Sequence, residues 1–175
     1  MLKHWQQILN TDCEVVVVNQ QNIFPIFRNG YTTLIDIADK KLLNSEITNL
    51  QQMDVLLRDP RERFNSGLNQ VCYTEKLDVI ETLHKIEKGE FIDRHFSPQY
   101  VWLMQLYRHY KGNVTLRPFK YISDITSVHL NPREYEMVEV EPPTAFLDVD
   151  YALMQEIGNT LPLETIIKRY KNVLS

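Results

Sequence analysis

The sequence predicts an α/β domain, a mostly parallel sheet flanked by helices, and two observations carry that prediction. Short apolar runs rich in β-branched residues, above all E-V-V-V-V-N at 14–19, read as strands. Two such runs then lead through a polar turn into a helical pattern, once after Phe27 and once after Leu57. Strands that feed helices in this way build α/β domains. The chain has 175 residues, 43% of them apolar and 10% aromatic, which suits one domain over residues 1–175 with a substantial core.

Taken in order, residues 2–9 form a short helix that turns Trp5 and Ile8 inward. The valine run at 14–19 is the clearest strand. Residues 22–27 are a second apolar run, made imperfect by Pro25. After it, Leu34, Ile35, Ala38 and Leu42 recur at helical spacing. Met53 and Val55, Leu56 and Leu57 form a buried strand that ends at Arg58. Asp59 caps the next helix, Pro60 is its first residue, and Glu62 completes a capping-box pattern. Phe64, Leu68, Val71 and Cys72 give that helix its apolar face. Leu77, Ile80, Leu83 and Ile86 mark an amphipathic helix on the sheet, ending near Gly89. Residues 90–98 are a polar loop holding His95. Residues 100–110 are apolar nearly all round and predict a buried helix whose aromatics are core. A further strand covers 113–119, and 134–143 is an acidic, proline-bounded surface excursion. Two short helices, at about 149–157 and 163–173, close the chain, separated by residues 159–162.

The formal charge of −4 gives no global pull toward nucleic acid or an anionic membrane. Cys13 and Cys72 form no metal or disulfide pattern and fit a reducing compartment. The first ten residues lack the apolar core of a signal peptide, and no stretch approaches the ~18 apolar residues of a membrane span. A cytoplasmic protein without membrane or nucleic-acid partners is the expectation, with the oligomeric state open. The basic residues Arg108, His109, Lys111, Arg117 and Lys120 could meet an anionic partner, or form a solvated face.

Two stretches carry chemistry. In F-R-N-G-Y-T-T-L at 27–34, Asn29 and Gly30 tolerate a backbone that turns N–H groups inward. A following helix start adds unpaired donors, Thr32 and Thr33 add hydroxyls, and Arg28 adds a full charge. In L-L-R-D-P-R-E-R-F-N-S-G-L at 56–68, Arg58 stands at a strand's C-terminal edge and Ser66 about two turns into the helix. A guanidinium and a hydroxyl aimed at one point there suit a phosphate. Read singly, the first stretch is also an ordinary threonine-capped helix and the second a strand-to-helix turn with a surface salt bridge. Arg28 and Arg58 lie 30 residues apart in two similar units, and one site gripping two phosphate-like groups explains both.

These residues resemble the sulfotransferase family. Residues 27–34 resemble its 5′-phosphosulfate loop, P-K-x-G-(S/T)-T-(S/T)-L, with Phe27, Arg28 and Tyr31 departing from the commonest residues. Residues 56–68 resemble its 3′-phosphate motif, R-D-P-x-x-R-x-x-S, with Arg58, Asp59, Pro60, Arg63 and Ser66 in place. D-R-H-F-S-P-Q at 93–99 resembles the D-x-H-W-x-P-Q segment of carbohydrate sulfotransferases.

The resemblance implies a P-loop-like sulfotransferase fold and 3′-phosphoadenosine 5′-phosphosulfate (PAPS) as donor, with no metal. Arg28, Asn29, Gly30, Tyr31, Thr32 and Thr33 would hold the 5′ side, and Arg58 and Ser66 the 3′-phosphate. Arg63 could help, or pair at the surface with Glu62 or Glu87. The reaction implied is sulfuryl transfer to an acceptor hydroxyl, plausibly of a carbohydrate. Arg28 would stabilise leaving-group charge and His95 would act as general base, with Glu90 and Asp93 in reserve. His95 could equally cap the following helix or bond backbone. His4, His84, His109 and His129 are expected at the surface or in packing. Two alternatives differ in class: a P-loop-type kinase, against which the missing Gly-Lys-Ser/Thr counts, and a non-catalytic nucleotide-binding or assembly module of the same fold.

Overall fold

The structure is a computed structural model that describes residues 2–128, 130 and 133–173. Its centre is a six-stranded sheet in the order β3-β1-β2-β4-β5-β6. The strands are β1 (Glu14–Val18), β2 (Gln21–Phe24), β3 (Lys40–Leu43), β4 (Gln52–Leu57), β5 (Asn113–Pro118) and β6 (Thr160–Pro162). Parallel pairing joins only β2, β4 and β5; the pairs β1–β2, β1–β3 and β5–β6 are antiparallel. The sheet is therefore mixed, which corrects the expectation of a mostly parallel one. Asn19 and Gln20, both left-handed (φ 49° and 67°), close a two-residue turn between β1 and β2. A turn that short leaves no room for a crossover and forces antiparallel pairing.

A second correction follows from β3. The helix α2 (Tyr31–Ile37) stops seven residues after it starts, and Leu42 lies on the edge strand, paired with Val15. Leu42 is the one buried residue of β3, so its inward direction is met by a strand as well as by a helix. Likewise residues 160–162, expected as a separator, are β6 against β5.

The helices cover both faces of the sheet. Val15, Phe24, Val55, Leu57 and Leu116 look into the larger core. That core is filled from α1 (Leu2–Leu9), α3 (Pro60–Glu75), α4 (Val79–Glu87), α5 (Gln99–Tyr107), α7 (Thr144–Met154) and α8 (Leu163–Tyr170). Val16, Val18, Ile23 and Leu56 look the other way, onto Leu34 of α2 and onto Ile122 and Ile125 of α6 (Ile122–Ile125). Helix α5 is buried nearly all round, as its composition predicts. Among the described residues no helix is long and apolar enough to cross a membrane.

The segment 133–143 has no regular secondary structure but is tied down. Asn65 and Asn69, one turn apart on α3, each bond it through both polar atoms of the side-chain amide. Asn65 exchanges bonds with Val140 (3.0 and 2.8 Å), and Asn69 with Val138 (2.8 and 2.8 Å). Tyr135 stacks on Tyr73 at 4.8 Å. The acidic excursion is thus a strap laid along α3.

Candidate functional site

The carboxyl ends of all three parallel strands open on one cleft of about 450 Å³. The loop after β2 brings Arg28, Gly30, Tyr31, Thr32 and Thr33; the turn after β4 brings Arg58, and α3 brings Ser66. Phe119, just past β5, forms another wall, and the strap closes the ring with Arg133 beside Leu130. Seven of the residues singled out by sequence line this one space.

The reason lies in local structure. Arg28 and Gly30 are both left-handed (φ 69° and 77°), and that pair of turns reverses the chain out of β2 into α2. Glycine adopts this conformation freely; arginine does so under strain. The Arg58 guanidinium donates to the Arg28 carbonyl (3.0 Å) and holds the strained turn. A Cβ on Gly30 would sit 2.4 Å from Ile122 Cδ1, so the loop lies close on α6. At the second turn the Asp59 carboxylate accepts from the Glu62 amide (3.0 Å), the cap that starts α3.

Arg28 Nε donates to the Ser66 hydroxyl (3.0 Å), and its Nη1 reaches Gln70 Oε1 at 3.4 Å. The Arg58 Nε lies 3.6 Å from a Glu62 oxygen, within ion-pair range but without a hydrogen bond, and its guanidinium rests 5.2 Å from the Phe119 ring centre. Burial lowers the Arg28 pKa below its usual value, and Arg133 lowers it further. Burial also lowers Arg58, which Glu62 raises and which Arg133 and Arg28 depress. No carboxylate is among the residues that line the cleft. Three guanidiniums share this cleft, and the carboxylate paired with Arg58, that of Glu62, stands outside its lining, so the lining itself suits an anion.

Two expected residues stand elsewhere. Asn29 is buried and does not line the cleft; its amide donates to the Leu56 carbonyl (2.8 Å) and to Gln99 Oε1 (2.7 Å). It braces the loop from behind, and the left-handed turn falls on Arg28 instead. His95 does not line this cleft either. Its Nδ1 meets Asp93 Oδ1 at 2.6 Å and its ring lies 5.0 Å from Phe27. Burial raises the Asp93 carboxyl, but the bonds from His95 outweigh this and hold it below its usual range.

Arg63 is also corrected: it is buried, not in an exposed salt bridge. It donates to the Phe27 carbonyl (3.0 Å) and the Ser97 carbonyl, so it ties the arginine loop to the His95 loop. The basic residues near Arg108 do not act together. Arg108 bonds the Leu9 carbonyl, Lys111 the Tyr107 carbonyl, and Arg117 pairs with Asp54 at 3.1 Å. His4 and His84 are exposed and His109 half-buried, while His129 lies outside the described residues.

Sequence reading gave no role to the residues that join the two loops, although Gln99 closes the D-R-H-F-S-P-Q stretch. Gln99 Oε1 accepts from the Arg58 amide (2.9 Å) and from Asn29; its Nε2 donates to the Arg58 carbonyl (2.9 Å). Buried Asp150 in turn accepts from the backbone amides of Gln99 (2.7 Å) and Tyr100 (3.0 Å), capping α5 from a distance. Arg133 and Phe119 were missed as well; neither has a local pattern, and only folding brings them to the cleft.

No family model matches this chain, and no curated protein or solved structure matches it. The meaning of the cleft rests on its own residues.

Proposed function

We propose that the chain is a sulfotransferase of P-loop-like fold, moving a sulfuryl group from PAPS to an acceptor hydroxyl of a carbohydrate. One observation carries the reading: Arg28, Arg58 and Arg133 converge with Ser66, Thr32 and Thr33 on a cleft that no carboxylate lines. The donor has two anionic ends, and the cleft offers an arginine from each of two strand ends. Arg58 and Ser66 fit the 3′-phosphate; Arg28, Gly30 and the two threonines fit the phosphosulfate side. The Phe119 ring offers a flat apolar surface to the base. PAPS supplies the activated sulfuryl group. The residues of this chain orient it, and Arg28 offsets charge that builds on the leaving oxygens.

A second reading is favoured by the position of His95, which is bonded to Asp93 and does not line the arginine cleft. In that reading the chain is a non-catalytic module of the same fold that grips the nucleotide without turnover.

Adenosine 3′,5′-bisphosphate, tested by thermal shift against ATP with magnesium, decides whether the donor site is there. The bisphosphate is expected to stabilise the wild type by about 2.7 kcal/mol at a hundredfold excess over Kd. That gain is expected to fall in Arg58→Ala and in Arg133→Gln, whose exposed side chain leaves folding intact. Equal response to ATP with magnesium would end the reading. Sulfuryl transfer from PAPS then separates the enzyme from the module.

A further inference from the structure

A second cleft, of about 650 Å³, opens at the same sheet edge, and Tyr31 lines both. Its walls come from the chain entering β1, the end of β3, and the loop and helix that follow Asp93. Part of its polar surface is already satisfied within the protein. Gln105 Nε2 donates to Thr11 Oγ1 (2.6 Å) and to the Asp12 carbonyl (3.0 Å), and Asp12 Oδ1 accepts from Asn44 (3.1 Å).

Two lining groups are not satisfied. One carboxylate oxygen of Glu14 and the Nε of Arg94 are buried, and neither finds a hydrogen-bond partner among the described residues. The Glu14 backbone and the Arg94 side chain are both firmly placed. Glu14 opens β1 and pairs with Leu43; the Arg94 guanidinium lies over the rings of Phe27 and Trp102, at 4.8 and 4.9 Å. Burial raises the Tyr31 phenol pKa, and Glu14 raises it further, so the carboxylate neighbours the wall between the clefts. A buried charged group without a partner is costly; both side chains line the cleft, and a ligand toward which they turn recovers that cost.

The two orphan groups define the ligand. Glu14 accepts and Arg94 donates, while a hydroxyl does both. Adjacent hydroxyls therefore fit, one donating to the carboxylate and its neighbour accepting from the guanidinium. An anionic ligand would meet Glu14 and Asp12, and a cationic one Arg94. A site of this volume is in the usual range for small molecules.

We propose that this second cleft binds a neutral polyhydroxylated molecule as acceptor, with Glu14 taking the proton of the reacting hydroxyl and Arg94 holding its neighbour. The acceptor role rests on the donor reading above; the binding site does not. In the transfer, the acceptor oxygen bonds to sulfur as the bond from sulfur to the donor's phosphate oxygen breaks. The electron pair leaves on that oxygen as adenosine 3′,5′-bisphosphate, and the hydroxyl proton passes to the Glu14 carboxylate and on to water.

Saturation-transfer NMR with methyl β-galactoside, methyl α-glucoside, trehalose and myo-inositol tests the site directly. At least one is expected to bind the wild type and to lose binding tenfold or more in Leu43→Trp. That variant fills the cleft mouth from an exposed position and is expected to keep the bisphosphate thermal shift. Glu14→Gln keeps an accepting oxygen but cannot take a proton. It should hold the sugar and lose transfer from PAPS by about 10²–10⁴-fold. No binding by any of the four, or binding unchanged in Leu43→Trp, overturns the site. Unchanged turnover in Glu14→Gln overturns Glu14 as proton acceptor. Sugar binding without a bisphosphate shift overturns the donor reading and the acceptor role with it.

Discussion

Gln99 does not line the arginine cleft, yet its one amide bonds the backbone of Arg58 on both sides and the side chain of Asn29. The position of the two anion-facing turns relative to each other therefore depends on an uncharged residue behind them. Asp150 holds Gln99 in place, and burial pushes its carboxyl up to about 6. An unfolded aspartate titrates near 3.9, so between these values the folded chain keeps a proton that the unfolded chain has lost. The stability Asp150 contributes is full below about pH 4 and is lost as pH rises through about 6. Urea midpoints measured from pH 4 to 7 should show the wild type losing on the order of 2–3 kcal/mol relative to Asp150→Asn. Parallel curves would mean the carboxyl is ordinary. This network also marks the limit of what sequence shows at the level of residues. Arg58 was legible because its strand end, cap and helix start lie within a few positions of it. Gln99 bonds residues 41 and 70 positions away, and Asp150 lies 51 beyond Gln99, so no local pattern gives their bracing role, even though Gln99 ends the stretch 93–99.

Among the elements, α3 does most to build the site. Its cap sets Arg58 at the strand edge, Ser66 faces the cleft, and Arg63 reaches through to two loop carbonyls. Asn65 and Asn69 hold the strap that carries Arg133. Gly67 is what allows the helix to approach the His95 loop, since a Cβ there would lie 2.1 Å from the His95 carbonyl oxygen. That contact is with backbone and cannot be relieved by a rotamer change. Gly67→Ala is expected to destabilise the protein by about 1–3 kcal/mol, despite alanine's better helix propensity. A urea midpoint at or above wild type would mean that helix and loop do not pack as closely as described. The long helices and buried strands were readable because each repeats its pattern over many residues. The edge strands were not: β3 buries one residue of four, and β6 buries none of its three. A pattern so sparse cannot be told from a helix end or a loop, and the missed edge strands, together with the unread turn at Asn19 and Gln20 between β1 and β2, are why the sheet read as parallel.

At the scale of the whole molecule, the net charge of −4 opposes the local field of the cleft. A distant anion meets a weakly repelling protein; one that reaches the sheet edge meets three arginines. The arrangement has a cost in the unliganded chain, because Arg133 depresses the pKa values of both Arg28 and Arg58 beyond what burial does. Arg133 is exposed, so the mutual repulsion is screened by salt and amounts to a few tenths of a kcal/mol. Arg133→Gln is thus expected to raise the melting temperature of the unliganded protein slightly at 0.01 M salt, where the Debye length is about 30 Å. At 1 M salt, with a Debye length of about 3 Å, the gain should vanish. The same variant should bind adenosine 3′,5′-bisphosphate more weakly at low salt, so one substitution moves stability and affinity in opposite directions. A purely structural role for Arg133 would lower both together. A surface role without function would move neither, and only opposed changes that fade with salt fit a cleft whose charge is kept for an anion.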